Sequence, residues 1–249
     1  MKPDIMSLKK TTFFLVLLLI FTISTDLQAQ KSKSLWLEAK AGLNTSVIIN
    51  QNAYGNGEMD YATTFGLTAG LGANYYLTEK WGVNASFNWS KLGQNYSGMQ
   101  SSGDAKRKVK LNYLEVPLLA LRRVGRPKNL TWVSFGPEIM FLLNAKQEYE
   151  RENGGPLPKP DYLIEGTTDI TNRYKPIDIA LSFAISKIYD VYQNRNFRFL
   201  ISANMAVGLS DINSKEWKTP NMHGSYAGSH NFYMGIKAGI MYKAFVKKE

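Results

Sequence analysis

The residues that could do chemistry are few. The chain has no cysteine and two histidines, His223 and His230, close to Ser225 and Ser229. A His–Ser pair would suit hydrolysis of an acyl chain, but no third residue stands at a spacing that would orient the base. A seven-residue spacing of the histidines is no metal-ligand spacing, and without thiolates or further imidazoles no metal and no cofactor is expected. No phosphate-binding loop, nucleophile elbow or helical zinc motif is present. Enzymatic function is therefore not expected.

The other chemistry-bearing residues are charges at alternating positions. Glu38 and Lys40, together with Trp36, and Glu115, Glu138, Asp178, Arg198 and Lys237 on other segments occupy the parity expected to face a barrel lumen. A basic run, Lys106, Arg107, Lys108 and Lys110, is a candidate contact for glycolipid phosphates through charge-assisted hydrogen bonds. Arg122, Arg123, Arg126 and Lys128 form a second basic group.

Their positions depend on elements with a period of two. Trp81, Val83, Ala85, Phe87 and Trp89 alternate with Gly82, Asn84, Ser86 and Asn88. The same alternation marks eight strands near 35–48, 61–76, 81–92, 109–121, 130–145, 175–187, 197–210 and 231–245. Long polar connections (49–60, 93–108, 146–174, 211–230) take turns with shorter ones (77–80, 122–129, 188–196). The polar parity is mainly Gly, Ser, Asn and Thr, which suits a crowded barrel interior and makes a poor solvated exterior. The expectation is an all-β fold: an eight-stranded, antiparallel, up-and-down transmembrane barrel with its apolar face toward lipid. A soluble barrel of lipocalin type would instead turn that face inward.

The N-terminus fits export. Lys9 and Lys10 precede an apolar run, Thr11 to Ile23, and Ala29-Gln30 offers a cleavage point. This divides the chain into a signal peptide, 1–29, and a barrel domain, 30–249. Cleavage removes three lysines and two aspartates, so the formal charge of +10 falls by one and stays basic. For an exported chain this excludes nucleic acid in favour of membrane lipid, lipopolysaccharide included, as the partner of the positive charge. Trp81, Trp89, Tyr75, Phe197 and Phe199 are expected at the membrane interfaces; Trp81 and Trp89, eight residues apart, would stand roughly 20 Å apart along the normal.

Two segments, Tyr113-Leu114-Glu115-Val116-Pro117 and Phe135-Gly136-Pro137-Glu138, resemble the PorT-like small outer-membrane barrels. The aromatic last strand, Gly239 to Phe245, resembles the family's C-terminal assembly signal, although Ala244 and the residues after Phe245 depart from it and imply a bulge or shifted register. The resemblance implies an outer-membrane location in a Gram-negative cell. The function expected is a structural or interaction module using its long loops, with possible envelope protein partners. A narrow pore with a charged lumen is the alternative, and a lipid A-modifying enzyme is the remotest.

Overall fold

The computed structural model describes residues 33–50, 59–100, 103–125, 130–151, 165–191, 194–218 and 226–247. The segment expected to be a signal peptide, Arg126, Lys128, His223, Ser225 and the glycine- and proline-rich stretch at 152–164 lie outside the described residues.

The sheet has ten strands rather than the eight expected. In chain order they are β1 (Lys33–Ile49), β2 (Asp60–Ala62), β3 (Phe65–Tyr76), β4 (Trp81–Gln100), β5 (Gly103–Val124), β6 (Thr131–Arg151), β7 (Gly166–Asp169), β8 (Ile177–Val191), β9 (Asn194–Gly208) and β10 (His230–Lys247). Antiparallel pairings run β1–β3–β4–β5–β6–β8–β9–β10 and return to β1, so the long strands close into a ring. Closure leaves no unpaired edge, which is what a sheet needs where no water can satisfy its N–H and C=O groups. The two extra strands, of three and four residues, pair outside the ring with β4 and β6. They are too short to carry an alternation that a sequence pattern can reveal.

The connection expected at 93–108 is mostly strand. The β4–β5 ladder continues from Lys91 opposite Asn112 to Gln100 opposite Gly103. Together β2, β4, β5, β6 and β7 form a sheet that rises beyond the ring on the side of the long connections. On the other side the β3–β4 turn is tight. Thr78 Oγ1 accepts from the Lys80 and Trp81 N–H groups at 3.1 and 2.9 Å and fixes the β3–β4 turn.

The ring is apolar on its outside. Leu71, Phe87 and Ile236 are 67, 63 and 65% exposed, whereas Glu115 and Glu138 are 0 and 2% exposed. Water would reverse this arrangement; a hydrocarbon surround requires it. The register of the last strand has a physical answer: Leu35 pairs with Phe245 and Trp36 with Lys243, so Ala244 is an extra, bulged residue.

Candidate functional site

The interior is layered. At the end carrying the short turns, Trp36, Tyr76, Leu121, Trp132, Ile188, Leu200 and Met241 form an apolar floor. Tyr76 and Trp132 meet at 4.6 Å with their rings tilted by 42°, and the Trp36 ring has the Arg198 guanidinium at 4.1 Å and the Lys243 ammonium at 5.1 Å. Toward the long loops, Ile48, Leu92, Tyr96, Val109, Leu111, Tyr113 and Met140 form an apolar roof, into which Ile170, Tyr174 and Ile212 fold from the loops.

Between floor and roof lies a polar belt. Lys40 Nζ contacts Glu38 Oε1 at 2.5 Å, while Asn74 and Asn84 donate to the two Glu38 oxygens at 2.7 and 3.1 Å. Tyr233 donates its hydroxyl to Glu138 at 2.5 Å. Asn231 bridges the Tyr113 hydroxyl at 3.2 Å and Asp178 at 2.9 Å; Asp178 also accepts from Ser210. A cavity of about 60 Å³ remains, lined by Glu38, Lys40, Glu138, Lys237 and nearby Asn and Ser side chains, and bounded by the floor residues Tyr76, Leu121, Trp132, Ile188, Leu200 and Met241. That is room for a few water molecules. Charges so placed must be paired or hydrated, because an isolated buried charge is very costly.

The residues of the two sequence motifs meet here. Tyr113, Glu115 and Pro117 face inward from β5, Gly136 and Glu138 from β6, and Pro117 stands opposite Glu138. Proline cannot donate to a ladder, and the β4–β5 pairing is interrupted between Ala85–Leu118 and Asn88–Glu115. A Cβ at Gly136 would stand 2.1 Å from the Leu118 carbonyl oxygen, so only glycine fits there. The motif is thus a local solution for bringing two strands together around inward carboxylates.

Of the expected lumen charges, Glu38, Lys40, Glu115, Glu138, Asp178 and Lys237 belong to the belt. Arg198 does not. It sits at the floor, over Trp36, and its Nε contacts Asp190 at 2.8 Å. Arg107 also departs from the expected exposed basic run. It lies in a strand rather than a loop, so its parity turns it inward; it is 1% exposed, donates to Gln147 at 2.9 Å and packs over Tyr96. Lys106, Lys108 and Lys110 face outward.

Trp89, Phe197 and Phe199 are partly exposed on the apolar outside, and Arg122 covers the Trp81 ring at 4.6 Å. Tyr75 is half-buried beside the same short-turn end. Tyr233 and Asn231 were not singled out by sequence; their inward parity is the signal that could have found them.

Above the roof, Asp211 gathers the last long connection. Its carboxylate accepts from the Tyr226 hydroxyl at 2.9 Å, the Ser229 N–H at 3.0 Å, the Asn213 N–H at 3.2 Å and Lys218 at 3.2 Å. Burial pushes its carboxyl up, but these donors outweigh burial and hold it below the usual range. Ser229 is fully buried, donates its hydroxyl to the Asn50 carbonyl at 3.1 Å and accepts from Asn213. It is committed to holding the cap. No group of three or more His, Asp or Glu side chains able to hold a metal occurs among the described residues.

Among solved structures, the chain is similar to Neisserial surface protein A at 9% identity, covering 86% of this chain and 99% of that one with a TM-score of 0.43. It is also similar to the outer membrane protein OprG from Pseudomonas aeruginosa (11% identity, 85% and 96% covered, TM-score 0.38). A third likeness is to Ail, the attachment invasion locus protein of Yersinia pestis (11%, 84% and 99%, TM-score 0.37). No curated protein sequence matches. The model of the outer membrane protein beta-barrel domain matches residues 28–214, three quarters of the chain. The protein therefore belongs to the outer membrane protein beta-barrel domain family and is a strand-crossing protein of the outer membrane.

Proposed function

We propose that, after removal of a signal peptide at Ala29-Gln30, the eight long strands cross the outer membrane as a closed, non-conducting, non-catalytic scaffold. Its working surface is the raised sheet β2–β4–β5–β6–β7 with the long loops around it, offered to protein partners outside the cell. The observation carrying this reading is the layered interior: an apolar floor and an apolar roof enclose the polar belt. An ion entering from either side would have to shed much of its water among aromatic and aliphatic side chains, which is costly. The two motifs around Glu115 and Glu138 support a PorT-like barrel within that family on this reading.

The small polar cavity is what favours the alternative, a narrow pore that opens by displacement of floor and roof. Photoreactive residues placed at Ser97 and Glu150, on the outer face of the raised sheet, discriminate the two in intact cells. The scaffold reading expects a discrete protein adduct there, lost when the rise of β4 and β5 is trimmed, and none from Phe87 on the lipid-facing wall. Absence of adducts from the sheet, with ion flux through the folded protein, would favour the pore.

A further inference from the structure

We infer that Lys91, Lys110 and Lys146 form a binding site for the phosphate groups of outer-leaflet glycolipid. This rests on the reading that the long strands cross the outer membrane with the raised sheet outside.

The three lysines come from adjacent strands and face outward where the apolar wall ends. Below them toward the membrane the outward residues are Trp89, Leu114 and Phe141. Lys91 is two residues beyond Trp89, and its ammonium stands 5.4 Å from that ring, so its stem lies along the interface aromatic. Gly93, Lys110 and Lys146 are successive register partners on β4, β5 and β6. Two residues along a tilted strand lift that row by about 5 Å above Lys91. The group therefore spans the height at which headgroup phosphates lie.

Charge distribution separates this row from those above. Lys106 stands opposite Glu150 and Lys108 opposite Glu148, whereas Lys110 stands directly opposite Lys146. Like charges in register oppose strand pairing unless an anion lies between them. The internal counter-charges are partly committed. Lys110 reaches diagonally to the half-exposed Glu148, which is then drawn from Lys108. Asp169, the register partner of Lys146, accepts from the Thr171 N–H at 2.8 Å and shares its charge with Lys146 from a fully exposed position. Around the rest of the rim, outward residues at comparable height are apolar on β3 next to β4 (Phe65), on β1 (Ile49) and just after β9 (Leu209). The phosphate-binding face is thus confined to β4, β5 and β6.

The test uses the mature chain folded in detergent. Bis-phosphorylated lipid A is titrated and retained lipid counted by native mass spectrometry, with boiling-dependent gel migration as the check of folding. Changing Lys91, Lys110 and Lys146 together to Gln is expected to weaken retention by about tenfold or more. Lys106→Gln with Lys108→Gln is expected to leave it unchanged, and dephosphorylated lipid A should bind wild type as poorly as the triple variant binds the phosphorylated form. Equal retention by the triple variant, or equal loss in the Lys106 and Lys108 variant, would overturn the site. Full competition by millimolar inorganic phosphate would assign it to free phosphate instead. Migration of wild type that is indifferent to boiling would sink the barrel reading itself, separately from the lysines.

Discussion

Replacing Asp211 tests whether one carboxylate holds the cap formed by the long connections over the barrel. Asp211→Ala removes the acceptor for the Tyr226 hydroxyl, two backbone N–H groups and the Lys218 ammonium. Hydrogen bonds to a charged group contribute about 1.5–3 kcal/mol each when buried. The side chain is 16% exposed and its partners can turn to solvent, so the set together is set at about 3 kcal/mol. That is roughly a hundredfold in the local opening equilibrium. Amide hydrogen exchange at Ser229 and Asn213 in the folded protein should accelerate by that order, while amides in mid-barrel keep their protection. Asp211→Asn, which keeps one acceptor, should fall between. The pH dependence has a definite sign. The folded carboxyl is held below its unfolded value near 4, so the cap has full stability above about pH 4 and loses it as acid titrates the folded group. Unchanged exchange at Ser229 in Asp211→Ala, or a cap that tightens in acid, would refute the assignment.

Three further outcomes follow from the packing. Trp36→Ala should cost about 3–5 kcal/mol by removing the ring that Arg198 and Lys243 approach, read as a lower urea midpoint for loss of compact gel migration. Tyr233→Phe removes the donor that serves buried Glu138 and should cost about 1.5–3 kcal/mol in the same assay. Gly93→Ala should be worse than its size suggests, by at least about 2 kcal/mol. Its φ is +137°, and an added Cβ would stand 1.9 Å from the Val109 carbonyl oxygen.

The ring was legible in the sequence because its two faces differ in chemistry. Where Phe87 and Trp89 meet lipid and Asn84 and Asn88 meet the lumen, alternation announces both strand and orientation. That contrast disappears beyond the membrane. From Lys91 to Lys110 both faces of β4 and β5 carry polar residues, so a continuous hairpin reads as a loop, and Arg107 loses the parity that turns it inward. Lys146 was absorbed into a loop for the same reason, which hid its register with Lys110. The charged belt was partly readable, since Glu115 and Glu138 follow parity. Arg198 follows parity too, but its depth depends on where β9 begins, and that places it at the floor. The Asp211 cap had no local signal: its donors come from Asn213, Lys218, Tyr226 and Ser229, brought together only by the way the connection folds back.

The central claim is an outer-membrane barrel sealed at both ends, and planar-bilayer recording of the refolded mature chain tests it most directly. Insertion without conductance above the baseline of the bare bilayer is the expected result. Steady single-channel steps whose size or ion preference changes on Glu115→Gln would contradict the seal and make the polar belt the lining of a pore.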